Sequence, residues 1–248
     1  MHGDDRPVGH LLTRREVLVA LGATGALALL RCSSSGYSTG DESGPLAGGC
    51  VVRPQQTEGP YFVDELLNRS DIRSDPATGA VRPGVPLGLT FNVTRVTEAS
   101  CVALGGVVVD VWHCDHLGVY SDVEDPGFDT IGQKFLRGHQ VTDEAGVARF
   151  TTIYPGWYQG RTVHVHFKLR SAPGADPGFE FTSQLYFDDD LTDEIHAGEP
   201  YSEKGQRSRR NVGDGIYANG GAQLMLAPIP VGNGYEASFD IALQLPAS

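Results

Sequence analysis

The sequence predicts an all-β fold: an antiparallel β-sandwich with long loops and a short helix, preceded by a signal segment and a flexible linker. Three observations predict it. Gly at 32 and Pro at 15 among 248 residues supply many turns, which suits short strands better than long helices. Short apolar or alternating segments recur from Pro86 onward. Between the later ones, Thr192 to Tyr217 is polar and charged and reads as a short helix with long surface loops.

In chain order, residues 1–35 read as a twin-arginine-type signal segment. Thr13-Arg14-Arg15-Glu16-Val17-Leu18 precedes an apolar run that ends at Leu30. That run, about 14 residues, falls short of the ~20 needed to span a bilayer. An arginine pair ahead of it implies the twin-arginine export machinery as a partner and a periplasmic or extracellular location. Residues 36–49 are Ser/Gly-rich with acidic punctuation, a linker that cannot bury a core.

Residues 50–248 form the domain. Thr57-Glu58-Gly59-Pro60-Tyr61-Phe62 is a Gly-Pro turn, and Asp64 to Arg73 is expected as loop with a short helical turn. Leu87, Leu89, Phe91 and Val93 alternate with small or polar residues, giving one buried face. Val107 to Trp112 is a near-continuous apolar run, broken only by Asp110, so both faces are expected to be covered. Phe135–Thr142 and Val147–Ile153 flank the turn Asp143-Glu144-Ala145-Gly146 and read as a hairpin. Val163–Leu169, Ser183–Phe187 and Ala237–Leu245 complete the strands.

The formal net charge of -12 repels phosphate backbones and anionic lipid, so nucleic acid is not an expected partner. Cys32, Cys50, Cys101 and Cys114 match no zinc module. In an oxidising compartment Cys50 and Cys101 can pair, while Cys114, inside an apolar strand, reads as a buried thiol.

His164-Val165-His166 places two imidazoles on one side of a strand, half of a metal site. Arg161 precedes the first by three residues and Tyr158 by six, and Tyr120 closes the segment that begins at Asp110. A phenol with a pKa near 10 ligates at neutral pH only to a strongly Lewis-acidic ion, and iron(III) is one.

Together these segments resemble the intradiol ring-cleavage dioxygenases. The matching stretches are Thr57–Phe62, Asp110–His113 through Tyr120-Ser121, Thr152–Tyr158, Arg161–Phe167, and Gln184 within Thr182–Phe187. The resemblance implies that Tyr120, Tyr158, His164 and His166 bind Fe(III). It implies a small aromatic diol and O2 as substrates, ring opening between the hydroxyl-bearing carbons, and a muconate-type diacid as product. Tyr158 is implied as the ligand that leaves and accepts a substrate proton, Arg161 as the cation that stabilises negative charge on the ring, and Gln184 as a group that orients Arg161 or the substrate. Tyr61 and Trp157 are candidate pocket residues, and homo-oligomer formation stays open.

Other residues take simpler roles. His113 and His116 read as structural hydrogen-bonding groups, Asp188-Asp189-Asp190 as a solvated strand end, and Tyr154 as core or pocket wall. Two competing readings remain: a non-catalytic β-sandwich binding module, and a divalent-metal hydrolase or iron(II) oxygenase in which a carboxylate joins the His pair.

Overall fold

The computed structural model describes residues 49–176 and 178–245. The signal segment and all but the last residue of the linker lie outside the described residues. Among the described residues, eleven strands and one α-helix follow in the order β1 (Pro86–Val96), β2 (Cys101–Ala103), β3 (Val108–Trp112), β4 (Glu124–Asp125), β5 (Phe128–Asp129), β6 (Arg137–Val141), β7 (Val147–Ile153), β8 (His164–Arg170), β9 (Glu180–Tyr186), α1 (Asp189–His196), β10 (Ile229–Val231) and β11 (Gly234–Leu243).

Two sheets hold the core. In the first, the order is β10-β11-β1-β2, and β7 also pairs with β1. Leu87, Leu89, Phe91 and Val93 of β1 are buried, as their alternation requires. In the second, ordered β6-β3-β8-β9, Val109, Val111, Val165, Phe167, Leu169 and Leu185 face the same core. Phe91, Phe167 and Phe239 meet across the interface, with ring centroids 5.3 to 6.1 Å apart. Burying each such side chain is worth about 1.5–3 kcal/mol.

The outer face of the second sheet is polar yet buried. Trp112 pairs with His166 and His166 with Gln184, so one row of side chains crosses three strands. The segment from Cys50 to Phe62 covers this face. It is held by Ser183 Oγ donating to Pro54 O (2.9 Å), Gln56 N to Thr182 O (3.0 Å) and Gln184 Nε2 to Thr57 O (2.9 Å). At its start Cys50 is bonded to Cys101 on β2, with Cα atoms 5.5 Å apart.

Four expectations need correction. The sandwich is not wholly antiparallel: β11 runs parallel to β1, because the turn through Gly232 and Asn233 reverses the chain once before β11 begins. β6 and β7 share a turn but not a hairpin. β6 pairs with β3 and β7 with β1, in different sheets. β7 buries Ala148 and Phe150 whereas β6 has little apolar face, and the turn docks on β1, where Val93 N donates to Gly146 O (2.8 Å). The stretch from Asp64 to Arg73 contains no helical turn; it bridges β6 and β7 through Asn68 and Asp71. Asp188 to Asp190 follow β9, and Asp188 and Asp190 are exposed as expected, but the run opens a helix: Asp188 caps α1, accepting from the backbone N–H of Asp190 and Leu191.

Candidate metal centre

The strand period puts His164 and His166 side by side, and the geometry is close. Their Nε2 atoms are 3.0 Å apart. His164 Nδ1 lies 2.7 Å from Thr162 O and donates to it, which leaves Nε2 as an acceptor. Tyr158 Oη lies 3.3 Å from that Nε2. Burial first, then the Arg161 guanidinium, pushes His164 down to about 3, and burial pushes His166 well below the usual imidazole range. Both are therefore neutral, as metal ligands must be.

Tyr120 and Tyr158 arrive on two loops that touch backbone to backbone. Gly118 sits at φ 78°, and a Cβ there would lie 2.2 Å from Trp157 O. A Cβ on Gly156 would lie 2.4 Å from Asp115 O. Only glycine at both positions allows this approach. It brings the Tyr120 and Tyr158 rings to 5.7 Å, with the Tyr120 ring 6.2 Å from that of His166.

Tyr120 is 1% exposed and its hydroxyl has no hydrogen-bond partner. Burial raises its pKa well above the ordinary phenol value. Burial likewise raises Tyr158 to about 12, against the opposing pull of Arg161. Two desolvated phenols beside two neutral imidazoles are costly to bury without a cation, and a hard, strongly Lewis-acidic one fits them. Among the described residues, no group of three or more His, Cys, Asp and Glu converges as metal ligands. The donors gathered around the His pair are thus phenols, not the carboxylate required by the iron(II) or hydrolase reading.

Arg161 is fixed from two sides: Nε donates to Asp214 Oδ2 (2.8 Å) and Nη2 to Gln184 Oε1 (2.6 Å). Gln184 is itself buried and also accepts from Tyr186 Oη (3.1 Å). Tyr61 stacks on Tyr120 with ring centroids 4.5 Å apart, and its hydroxyl donates to Asp125 (2.8 Å). Trp157 is half-buried beside the loop junction, and its indole N–H donates to Gly205 O (3.1 Å).

His113 is a structural group, with Nδ1 at 2.8 Å from Cys114 O and Nε2 at 2.6 Å from Thr152 Oγ1. Tyr154 is core, its hydroxyl 2.7 Å from Thr192 Oγ1. Cys114 is a buried free thiol. The sequence reading missed Asp214, Thr162 and Gly59. Gly59, at φ 72°, brings the covering segment against His166, where an added Cβ would lie 3.3 Å from Cε1. Its place two residues before Tyr61 in a Gly-Pro turn was a usable signal; Asp214 gave none, because it lies 53 residues from Arg161 in a loop.

A family model described as Dioxygenase matches residues 57–200. The chain is 36% identical over 150 residues to the chlorocatechol 1,2-dioxygenase of Pseudomonas putida, covering 53% of this chain and 52% of that protein. It is 33% identical over 138 residues to the protocatechuate 3,4-dioxygenase beta chain of Burkholderia cepacia, covering 51% and 57%. The chain thus spans about half the length of these curated relatives. Among solved structures, an intradiol ring-cleavage dioxygenase from Tetranychus urticae matches with a TM-score of 0.69 at 30% identity, over 79% of this chain and 95% of that one.

Proposed function

The chain belongs to the intradiol ring-cleavage dioxygenases, and from that premise we propose that it uses O2 to open a catechol-type ring between its two hydroxyl-bearing carbons. Both oxygen atoms enter the product, a muconate-type diacid, so catechol and O2 balance without a further reductant. Tyr120, Tyr158, His164 and His166 would hold iron(III). When bound, the ferric ion draws electron density from the diol and so makes the ring reactive toward O2.

One observation carries this reading. A buried, unpartnered tyrosine hydroxyl and a second phenol converge on two neutral imidazoles whose Nε2 atoms are 3.0 Å apart. The chain's own groups then divide the work. Held as phenolate in a ferric site, Tyr158 Oη, the more accessible phenol, would accept a proton from a substrate hydroxyl; without the ion, burial keeps it protonated. Thr162 O holds His164 in the tautomer that presents Nε2. Arg161 stays charged throughout, because a guanidinium cannot neutralise itself by losing its proton, and it stabilises charge developing on the ring. Gln184 fixes the guanidinium plane from one side. Tyr61 and Trp157 form walls of the substrate pocket.

Export by the twin-arginine route belongs to the same proposal and rests on Thr13 to Leu30 alone. It suits an enzyme that is folded and metal-loaded before it leaves the cytoplasm.

The test is oxygen uptake by purified protein with catechol, hydroxyquinol and protocatechuate, with products identified. The expected protein is red-brown from phenolate-to-iron charge transfer, and takes up one O2 per diacid formed. Colourless protein carrying zinc, or a product cleaved outside the diol bond, rejects the proposal.

A further inference from the structure

We propose that Asp214 is a positioning residue for the reaction, holding the Arg161 guanidinium in one orientation and tying it to the segment that carries His164. This rests on the proposed ring-opening activity. The Asp214 side chain is 1% exposed and accepts four hydrogen bonds. Oδ2 takes Arg161 Nε (2.8 Å) and the backbone N–H of Thr162 (2.8 Å). Oδ1 takes the backbone N–H of Ile216 (2.8 Å) and Tyr217 (2.9 Å).

A carboxylate so placed is fixed by its own loop on one oxygen, and fixes Arg161 and Thr162 with the other. Burial works to raise its pKa, but Arg161 and the backbone donors outweigh burial and hold it below the usual carboxylate range. The charge is thus retained and matched to the guanidinium. Thr162 continues the tie: its carbonyl accepts from His164 Nδ1 (2.7 Å), and its hydroxyl bonds Asn211 Oδ1 (2.7 Å). Gln184 grips Arg161 at Nη2 from the neighbouring strand. With Nε and Nη2 both taken, the guanidinium has one orientation. Loss of Asp214 leaves one grip on it and an uncompensated buried cation.

The experiment is a double-mutant cycle on iron-loaded protein with catechol, using Asp214→Asn, Arg161→Ala and the double variant. Asp214→Asn is expected to keep iron and the red-brown band while kcat falls roughly tenfold or more, with KM little changed. In the Arg161→Ala background the same substitution is expected to cost nothing further in kcat. An equal loss in both backgrounds, or wild-type kcat in Asp214→Asn, overturns the proposal. Asp214→Glu, which keeps the charge but moves it by one methylene, runs the same cycle if the asparagine variant does not fold. Thermal midpoints of the metal-free variants give a readout independent of turnover: non-additive midpoints are expected, and additive ones count against the tie. Wild-type protein that opens no catechol rejects the parent activity, whereas active wild type with an additive cycle rejects only the role of Asp214.

Discussion

At the scale of single residues, the two imidazoles and two phenols are not equivalent. His166 is fully buried, stacks on Trp112 with ring centroids 5.0 Å apart, and faces Gly59. His166→Ala is therefore expected to lose iron, measured by metal analysis after purification; full iron and activity in that variant end the ligand assignment. Tyr158 is the less buried phenol and the proposed proton acceptor. Tyr158→Phe is expected to retain most of the iron and lose about 10²-fold in turnover. If turnover is unchanged, another group takes the proton. This distinction was partly legible in the sequence. The His-x-His spacing fixes two side chains by strand period alone, and the tyrosine positions follow the family pattern. What the chain order could not show is how Arg161 is held. Its partners Gln184 and Asp214 are 23 and 53 residues away, and the pairing arises only when β9 and the loop after α1 fold over β8.

At the scale of elements, the site is assembled by backbone approach rather than by any one strand. The loop ending in Tyr120 and the loop carrying Tyr158 meet through Gly118 and Gly156. Gly118→Ala combines a positive φ with a clash against Trp157 O, costing about 1–3 kcal/mol in strain. Its expected signature is a weakened phenolate-to-iron band in the visible spectrum; an unshifted band of full intensity refutes this account of the loop junction. The covering segment is the second device. It runs from the Cys50–Cys101 bond across β9 to Gly59 and Tyr61, so the disulfide, which spans 51 residues, anchors one wall of the site. Replacing both cysteines by serine is expected to lower the thermal midpoint by roughly 5–15 °C and to speed iron loss to a chelator. Equal chelation rates would separate the disulfide from the site. The strands themselves were readable, since Leu87, Leu89, Phe91 and Val93 declare their face. The hairpin expectation failed at Asp143 to Gly146 because a turn sequence specifies reversal, not which sheet each arm joins. That choice was made by Phe150 and Ala148, which bury against β1.

At the scale of the whole molecule, the fold buries histidines that must stay neutral, and this sets its response to acid. His113 is wholly enclosed and His196 stacks on Tyr201 with ring centroids 4.8 Å apart. Burial pushes each down to about 4, although a backbone carbonyl, Cys114 O or Pro155 O, works to raise it. In the unfolded chain both titrate near 6.5. Above that value neither state is protonated and the two groups leave stability unaffected. Between about 6.5 and 4 the unfolded state binds protons that the folded state refuses, so stability falls as pH falls, by up to about 1.4 kcal/mol per pH unit for each histidine. These two groups together contribute roughly 3–4 kcal/mol to the loss between pH 7 and 5, and in metal-free protein His164 and His166, which burial also pushes down, add to it. Urea denaturation of metal-free protein at the two pH values measures this directly. His196→Phe keeps a ring against Tyr201 and removes one of these buried proton sites, so its stability should fall less steeply over the same interval. A urea midpoint that does not move with pH, or a His196→Phe protein with the parent's slope, means that these buried imidazoles do not govern acid sensitivity.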